Sequence, residues 1–167
     1  MKKVLILAAE GFEDSELIYP YYRMQEAGFG VSIAGIGEKT YKGKSGVQIN
    51  CDGDIEDFNP KDFAALIIPG GWAPDKLRRS KTVLDFVKEL QKQDKIIAAI
   101  CHGPQVLISA GVLKNRTLTC VAAIKDDVTN AGAKYLDKSV VVDRNLITSR
   151  YPADLPHFCR EIVKALK

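Results

Sequence analysis

The 167-residue chain has no C-x-x-C pair, only two histidines, no dense basic run and no long apolar stretch. Each shortage closes off a class of function. Without C-x-x-C, the four cysteines (Cys51, Cys101, Cys120 and Cys159) do not make a zinc or thioredoxin-like pattern, and no metal is expected. The net charge of +3 comes from 24 basic and 21 acidic residues. So small an excess, spread along the chain, speaks against nucleic acid as a partner. Apolar runs such as Ala64–Pro69 fall far short of the ~20 residues a membrane span needs. The first of them, Val4–Ala9, follows two lysines but ends at Glu10, with acids close behind. It lacks the ~7–15-residue apolar region and the cleavage site of a signal peptide. A cytoplasmic location with mostly free thiols is therefore expected. There is no repeat, linker or low-complexity segment, and residues 1–167 are expected to form one domain. With 46% hydrophobic and 27% charged residues, the composition is that of a folded core, not of disorder.

What is present is a set of short apolar runs of the kind that fill buried parallel strands. Val4–Ala9, Phe63–Ile68 and Ile96–Ile100 are clear, and Val31–Ile36 is a fourth. Helical patterns fall between them. Leu17, Ile18, Tyr21, Met24 and Ala27 mark one face, with a kink expected at Pro20 and a stop at Gly28. Leu77–Gln91 reads as one amphipathic helix, Gln105–Ala110 as a short one ending at Gly111, and Ala153 or Asp154 to Leu166 as the last. Hairpins are expected over Lys39–Asn50, through Lys44-Ser45-Gly46, and over Ser139–Ser149, through Asp143-Arg144-Asn145. The alternation of strand and helix implies an α/β sandwich with a mostly parallel central sheet.

In such sheets ligands sit beyond the carboxyl ends of the strands. That rule selects the loops Glu10–Glu16, Pro69–Asp75 and Cys101–Gln105. In Ala99-Ile100-Cys101-His102-Gly103-Pro104-Gln105 a buried strand runs straight into a helix with cysteine at the turn, the layout of a nucleophile elbow. The helix N-terminus is expected to favour thiolate over thiol. His102 is placed to act as a base or to carry positive charge beside the sulfur. His157 reads as surface or packing, and Cys51, Cys120 and Cys159 as small buried hydrophobes. Pro69-Gly70-Gly71-Trp72 lets the backbone approach a ligand, so that Gly71 and His102 N–H groups would make an oxyanion hole. Four carboxylates, Glu10, Glu13, Asp14 and Glu16, crowd the first loop. They argue against a dinucleotide or flavin phosphate there, and no cofactor is expected. A glutamate packed against Cys101 would be held protonated by burial and by the thiolate, and would donate a hydrogen bond.

Five stretches resemble the ThiJ/PfpI superfamily, most closely its PfpI-type intracellular peptidases. They are Glu13-Asp14-Ser15-Glu16-Leu17-Ile18-Tyr19-Pro20, Ile68-Pro69-Gly70-Gly71-Trp72-Ala73-Pro74-Asp75, Ala99–Gln105, Ile124-Lys125-Asp126-Asp127 and Ser149-Arg150-Tyr151-Pro152-Ala153-Asp154, in family order over nearly the whole chain. The resemblance implies a flavodoxin-like sandwich that assembles as a homo-oligomer, a dimer or a hexamer. It implies that Cys101 is the nucleophile, Glu16 its buried carboxylic partner and His102 its neighbour. Gly71 and His102 N–H groups would face the substrate oxygen, with Glu13 beside them. In the PfpI type, the loop after Pro-Gly-Gly supplies a glutamate to the neighbouring subunit's histidine; here that position is Asp75, one methylene shorter. Val121 stands where the family often has a tyrosine.

Superfamily members are described as peptidases, glyoxalases and deglycases, and all three chemistries begin with thiolate attack on a carbonyl. The resemblance therefore implies a small aldehyde, a glycated amine or a peptide as substrate. Peptide cleavage also needs an acid for the leaving amine, which favours glyoxalase or deglycase chemistry, with an intracellular cysteine peptidase as the alternative. A redox sensor or holding chaperone acting through oxidised Cys101 is a reading of another class. A glutamine amidotransferase needs a histidine followed two residues later by glutamate, and His157-Phe158-Cys159 does not supply it.

Overall fold

The computed structural model describes all of residues 1–167. The chain opens with β1 (Lys3–Leu7), α1 (Asp14–Glu26) and β2 (Gly30–Gly35), followed by a hairpin of β3 (Thr40–Lys42) and β4 (Gln48–Asn50). Next come β5 (Gly53–Asp54), β6 (Ala65–Ile68), α2 (Ala73–Leu77), α3 (Lys81–Lys92) and β7 (Ile96–Ile100). The remainder is α4 (Pro104–Ala110), β8 (Thr117–Leu118), α5 (Lys125–Asn130), β9 (Lys134–Tyr135), β10 (Val141–Asp143), β11 (Leu146–Ser149) and α6 (Leu155–Leu166).

Seven strands form one sheet in the order β10-β11-β7-β6-β1-β2-β5, parallel throughout except for the β10–β11 pair. Its centre, β2-β1-β6-β7-β11, has the flavodoxin order, and the direction of winding reverses between β1 and β6. The apolar runs dictate this placement. Every residue of β6 and all but the first of β1 and β7 are buried, which requires both faces of the sheet to be covered. Helix α1 packs against α6, and α3 against α4. One continuous cluster of 46 buried residues results.

Three boundaries differ from the sequence reading. Leu77–Gln91 is two helices, because the Ser80 hydroxyl caps a new start at Lys81 by accepting the Val83 N–H. The last helix begins at Leu155, after a tight 3₁₀ turn over Pro152–Asp154. The apolar run at Phe63 becomes strand only from Ala65, since Phe63 N–H closes a preceding turn on Pro60. Helix α1 continues through Pro20 to Glu26. Both expected hairpins form as antiparallel pairs. No helix is long and apolar enough to cross a membrane.

Candidate active site

The reversal point between β1 and β6 brings two of the selected loops together, and β7, next to β6, delivers the third. Glu13 N–H donates to the Gly70 carbonyl (3.2 Å) and Trp72 N–H to the Gly11 carbonyl (2.8 Å), so the first two loops are zipped to each other. Gly71 sits in this zipper with φ +75°. A Cβ there would press into the backbone of Gly11, Phe12 and Glu13. Gly71→Ala is accordingly expected to lower stability by about 2 kcal/mol in urea titration, from left-handed strain plus overpacking.

Cys101 occupies the turn between β7 and α4 with φ +61°, a left-handed conformation that costs a non-glycine residue about 1 kcal/mol. Its N–H donates to Ser149 on β11, and its carbonyl accepts the Val121 N–H, so the strained turn is held from both sides. Val121 is thus joined to the turn through its backbone. The backbone N–H groups of His102 and Gly71 draw the Cys101 pKa down, against the larger effect of burial. His102 Nδ1 lies 3.4 Å from Sγ. The imidazole is half-buried, and burial followed by the Lys44 charge holds its pKa below the usual value, leaving it neutral near pH 7.

Glu16 is fully buried on the first turn of α1. Its Oε2 accepts the Gly70 N–H at 2.7 Å, while Oε1 has no hydrogen-bond partner. A Cβ built on Gly70 would strike both the Glu16 carboxylate and the Cys101 Cβ, so only glycine leaves room for the two side chains to sit side by side. Burial, opposed by the Gly70 N–H, raises the Glu16 pKa to about 7. Burial first and the Glu16 charge second push the Cys101 thiol up to about 12. This reverses the expectation that the helix terminus would favour thiolate: α4 begins three residues beyond Cys101 at Pro104, too far for its first turn to outweigh desolvation. The two groups form a coupled pair that resists holding two negative charges at once.

The four crowded carboxylates divide into separate tasks. Glu10 accepts the Lys42 N–H, and buried Asp14 accepts the N–H groups of Ser45 and Val47, both at 2.8 Å. They clamp the β3–β4 hairpin over the site. Glu13 pairs with Lys44 from the hairpin tip at 3.3 Å, and Lys44 Nζ lies 5.5 Å from the Trp72 ring centroid. Lys44 is the site residue that the sequence reading passed over, having been taken only as part of a turn.

Asp75 is not brought to this cluster. It lies on α2, exposed, with its carboxylate on Arg79 at 3.3 Å. His157 is exposed on α6, Cys120 and Cys159 are buried, and Cys51 is half-buried. No group of three or more His, Cys, Asp or Glu side chains is arranged to hold a metal ion.

Cys101, Glu16, His102 and Gly71 therefore converge in a sheet of flavodoxin order, and known proteins share this arrangement of the chain. The sequence pattern of the DJ-1/PfpI family matches residues 2–165. A deglycase of Pyrococcus abyssi is 47% identical over 99% of both chains, and the deglycase PfpI of Pyrococcus furiosus is 46% identical over the same shares. Among solved structures, DJ-1beta of Drosophila melanogaster superposes with a TM-score of 0.94 at 32% identity, covering 99% of this chain and 90% of that one. A two-domain protein of Anabaena variabilis, with DJ-1/ThiJ/PfpI-like and ferritin-like domains, matches with a TM-score of 0.96 at 46% identity; the chain spans 48% of its length. The chain belongs to the DJ-1/PfpI family.

Proposed function

We propose that the chain is a cytoplasmic, single-domain cysteine-nucleophile enzyme of the glyoxalase or deglycase type, acting on small reactive carbonyls such as methylglyoxal and on their adducts with amines. One observation carries this reading: Cys101 stands on a strained strand-to-helix turn, against a fully buried carboxyl group whose Oε1 has no partner. A carboxylic acid proton on Oε1 needs an acceptor, and the adjacent sulfur is one. Once the pair has lost its first proton near pH 7, burial keeps the remaining one mainly on sulfur. The reacting species is the minor form in which that proton has passed from the thiol to Glu16, a thiolate beside a protonated carboxyl.

In this state sulfur attacks the aldehyde carbon, the S–C bond forms, and the carbonyl oxygen takes the electron pair and then the Glu16 proton. As the sulfur gives up its charge to the new bond, the Gly71 and His102 N–H groups turn from stabilising the thiolate to stabilising that oxygen. Neutral His102, next to sulfur, then takes the proton from the carbon of the adduct and returns it to the neighbouring carbon, while the hydroxyl proton passes from the first oxygen to the second. The resulting thioester is hydrolysed by water to lactate and free thiol. For an amine glycated as the hemiaminal, sulfur replaces nitrogen at that carbon: the S–C bond forms, the C–N bond breaks, and the departing amine takes the Glu16 proton, leaving the same thiohemiacetal. Cys101, Glu16 and His102 are the catalytic residues of this proposal, with Gly71 and Glu13 facing the substrate.

A peptidase would need a further acid and an orienting partner for His102. Within the chain Asp75 is committed to Arg79. Only Asp75 of a second copy in a homo-oligomer would serve, and its short side chain makes this the weaker use of the site. Turnover of methylglyoxal and of an unstructured peptide, measured on one pure sample, tests the choice. Methylglyoxal turnover in clear excess over peptide cleavage is expected; peptide cleavage without aldehyde turnover would overturn it.

A further inference from the structure

The β3–β4 hairpin brings a fixed positive charge to the site, and neither the nucleophile nor its carboxyl partner needs it for the steps above. We infer that Lys44 is a specificity residue that draws anionic substrates, carbonyl compounds carrying a carboxylate, toward Cys101. The inference rests on the proposed site and adds the substrate class to it. Lys44 is held on three sides. Its backbone N–H donates to the Phe12 carbonyl at 2.9 Å, its ammonium meets Glu13 at 3.3 Å, and it lies over the exposed face of Trp72. The turn that carries it is fixed by the buried Asp14 carboxylate, 31 residues away in sequence. A Cβ at Gly43 would collide with that carboxylate, so the clamp is close-fitting.

The Lys44 side chain stays 34% exposed, against 22% for its Glu13 partner. Lys44 therefore keeps N–H donors open to solvent while its position is set. Glu13, its partner, donates its N–H to Gly70, which packs directly against Glu16 and Cys101, so the ammonium stands close to the nucleophile. Trp72, 62% exposed, supplies an apolar wall beside it. An ammonium beside an exposed indole suits the carboxylate of a glycated amino acid, whose hemiaminal carbon is then offered to Cys101. Glu13 tempers the attraction, since its carboxylate competes for the same ammonium.

The test uses two alkylating reagents that differ in charge. With iodoacetamide and with iodoacetate the Cys101 thiolate forms an S–C bond, iodide leaves, and the thiol proton passes to solvent. Any change in thiolate fraction alters both rates alike and cancels in their ratio. Lys44→Met should lower the iodoacetate-to-iodoacetamide rate ratio at Cys101 about fivefold at low salt, and less as salt screens the charge. Lys44→Arg should retain the wild-type ratio, which separates loss of charge from loss of the hairpin. Glu13→Gln should raise it. Glyoxylate, which can add to the thiolate but has no second ketone or aldehyde carbon to isomerise onto, should inhibit glyoxal turnover with a Ki that rises in Lys44→Met, while the KM for neutral glyoxal stays within about twofold. An unchanged ratio in Lys44→Met would overturn the inference and leave the cysteine site standing. Cys101 inert to both reagents would overturn the inference together with the site on which it rests.

Discussion

Cys101→Ala should abolish carbonyl turnover, by at least about a thousandfold, because a covalent nucleophile has no substitute among its neighbours. The other three thiols cannot take over. Burial pushes Cys120 and Cys159 up to about 12, and Cys51, desolvated beside Asp52 and Asp54, up to about 11. None of them has a fully buried glutamate packed beside it, as Cys101 has in Glu16. Cys101 is raised as well, but its second-largest cause is the Glu16 charge, which disappears when Glu16 holds the proton. Iodoacetamide near neutral pH, read by peptide mapping, should therefore mark Cys101 first. Stability should report the opposite sign. Replacing a non-glycine residue at φ +61° with glycine relieves left-handed strain, so Cys101→Gly should unfold at higher urea than Cys101→Ala, by about 1 kcal/mol. An inactive variant that is the more stable one would place the strain in the service of chemistry. Retained turnover in Cys101→Ala, or first labelling at Cys51, would remove the nucleophile.

Much of the fold could be read from the sequence because the central strands are buried on both faces. Ile96-Ile97-Ala98-Ala99-Ile100 has no polar position to confuse its assignment, and its strand bounds match residue for residue. The break at Arg78–Ser80 was hidden, since two arginines suit a helix and only the later cap at Ser80 interrupts it. In the site, Cys101, His102 and Gly71 were legible because each lies at the carboxyl end of a strand or just beyond it, whereas Glu16 was singled out from four neighbouring carboxylates only by the resemblance to the ThiJ/PfpI superfamily. Lys44 was not legible. Its place depends on Asp14 gripping the N–H groups of Ser45 and Val47, a long-range contact that leaves no periodic trace. Proton placement was hidden for the same kind of reason. The helix-terminus argument is local, whereas the burial that dominates Glu16 and Cys101 comes from β6, β7 and α1 closing around them.

Glu16→Gln should make the protein more stable at pH 8 and slower in reaction, with both effects tied to one titration. In the folded chain the first proton leaves the Glu16–Cys101 pair at about 7, whereas an unfolded glutamate loses it near its ordinary value of 4.5. Between these values the folded state holds a proton that the unfolded state has released, so unfolding free energy falls as pH rises. The contribution is intact below about 4.5, is lost as pH climbs through about 7, and amounts to about 3 kcal/mol. Glutamine has no proton to lose. Its amide oxygen can keep the Gly70 N–H, and its NH₂ faces the position where Oε1 lacked a partner. The wild-type and Glu16→Gln stability curves should lie close together near pH 4.5 and separate progressively to pH 8, in urea titrations at fixed ionic strength. Over the same range, wild-type Cys101 should gain alkylation rate with an apparent pKa near 7, as loss of the pair's first proton gives access to the minor thiolate form. In Glu16→Gln that step should vanish and alkylation should await a higher pH, because the thiol then has no carboxylate to take its proton. Parallel stability curves would show that Glu16 is not the group titrating. A stability gap without the change in alkylation profile would make Glu16 a buried structural acid and take it out of the chemistry of Cys101.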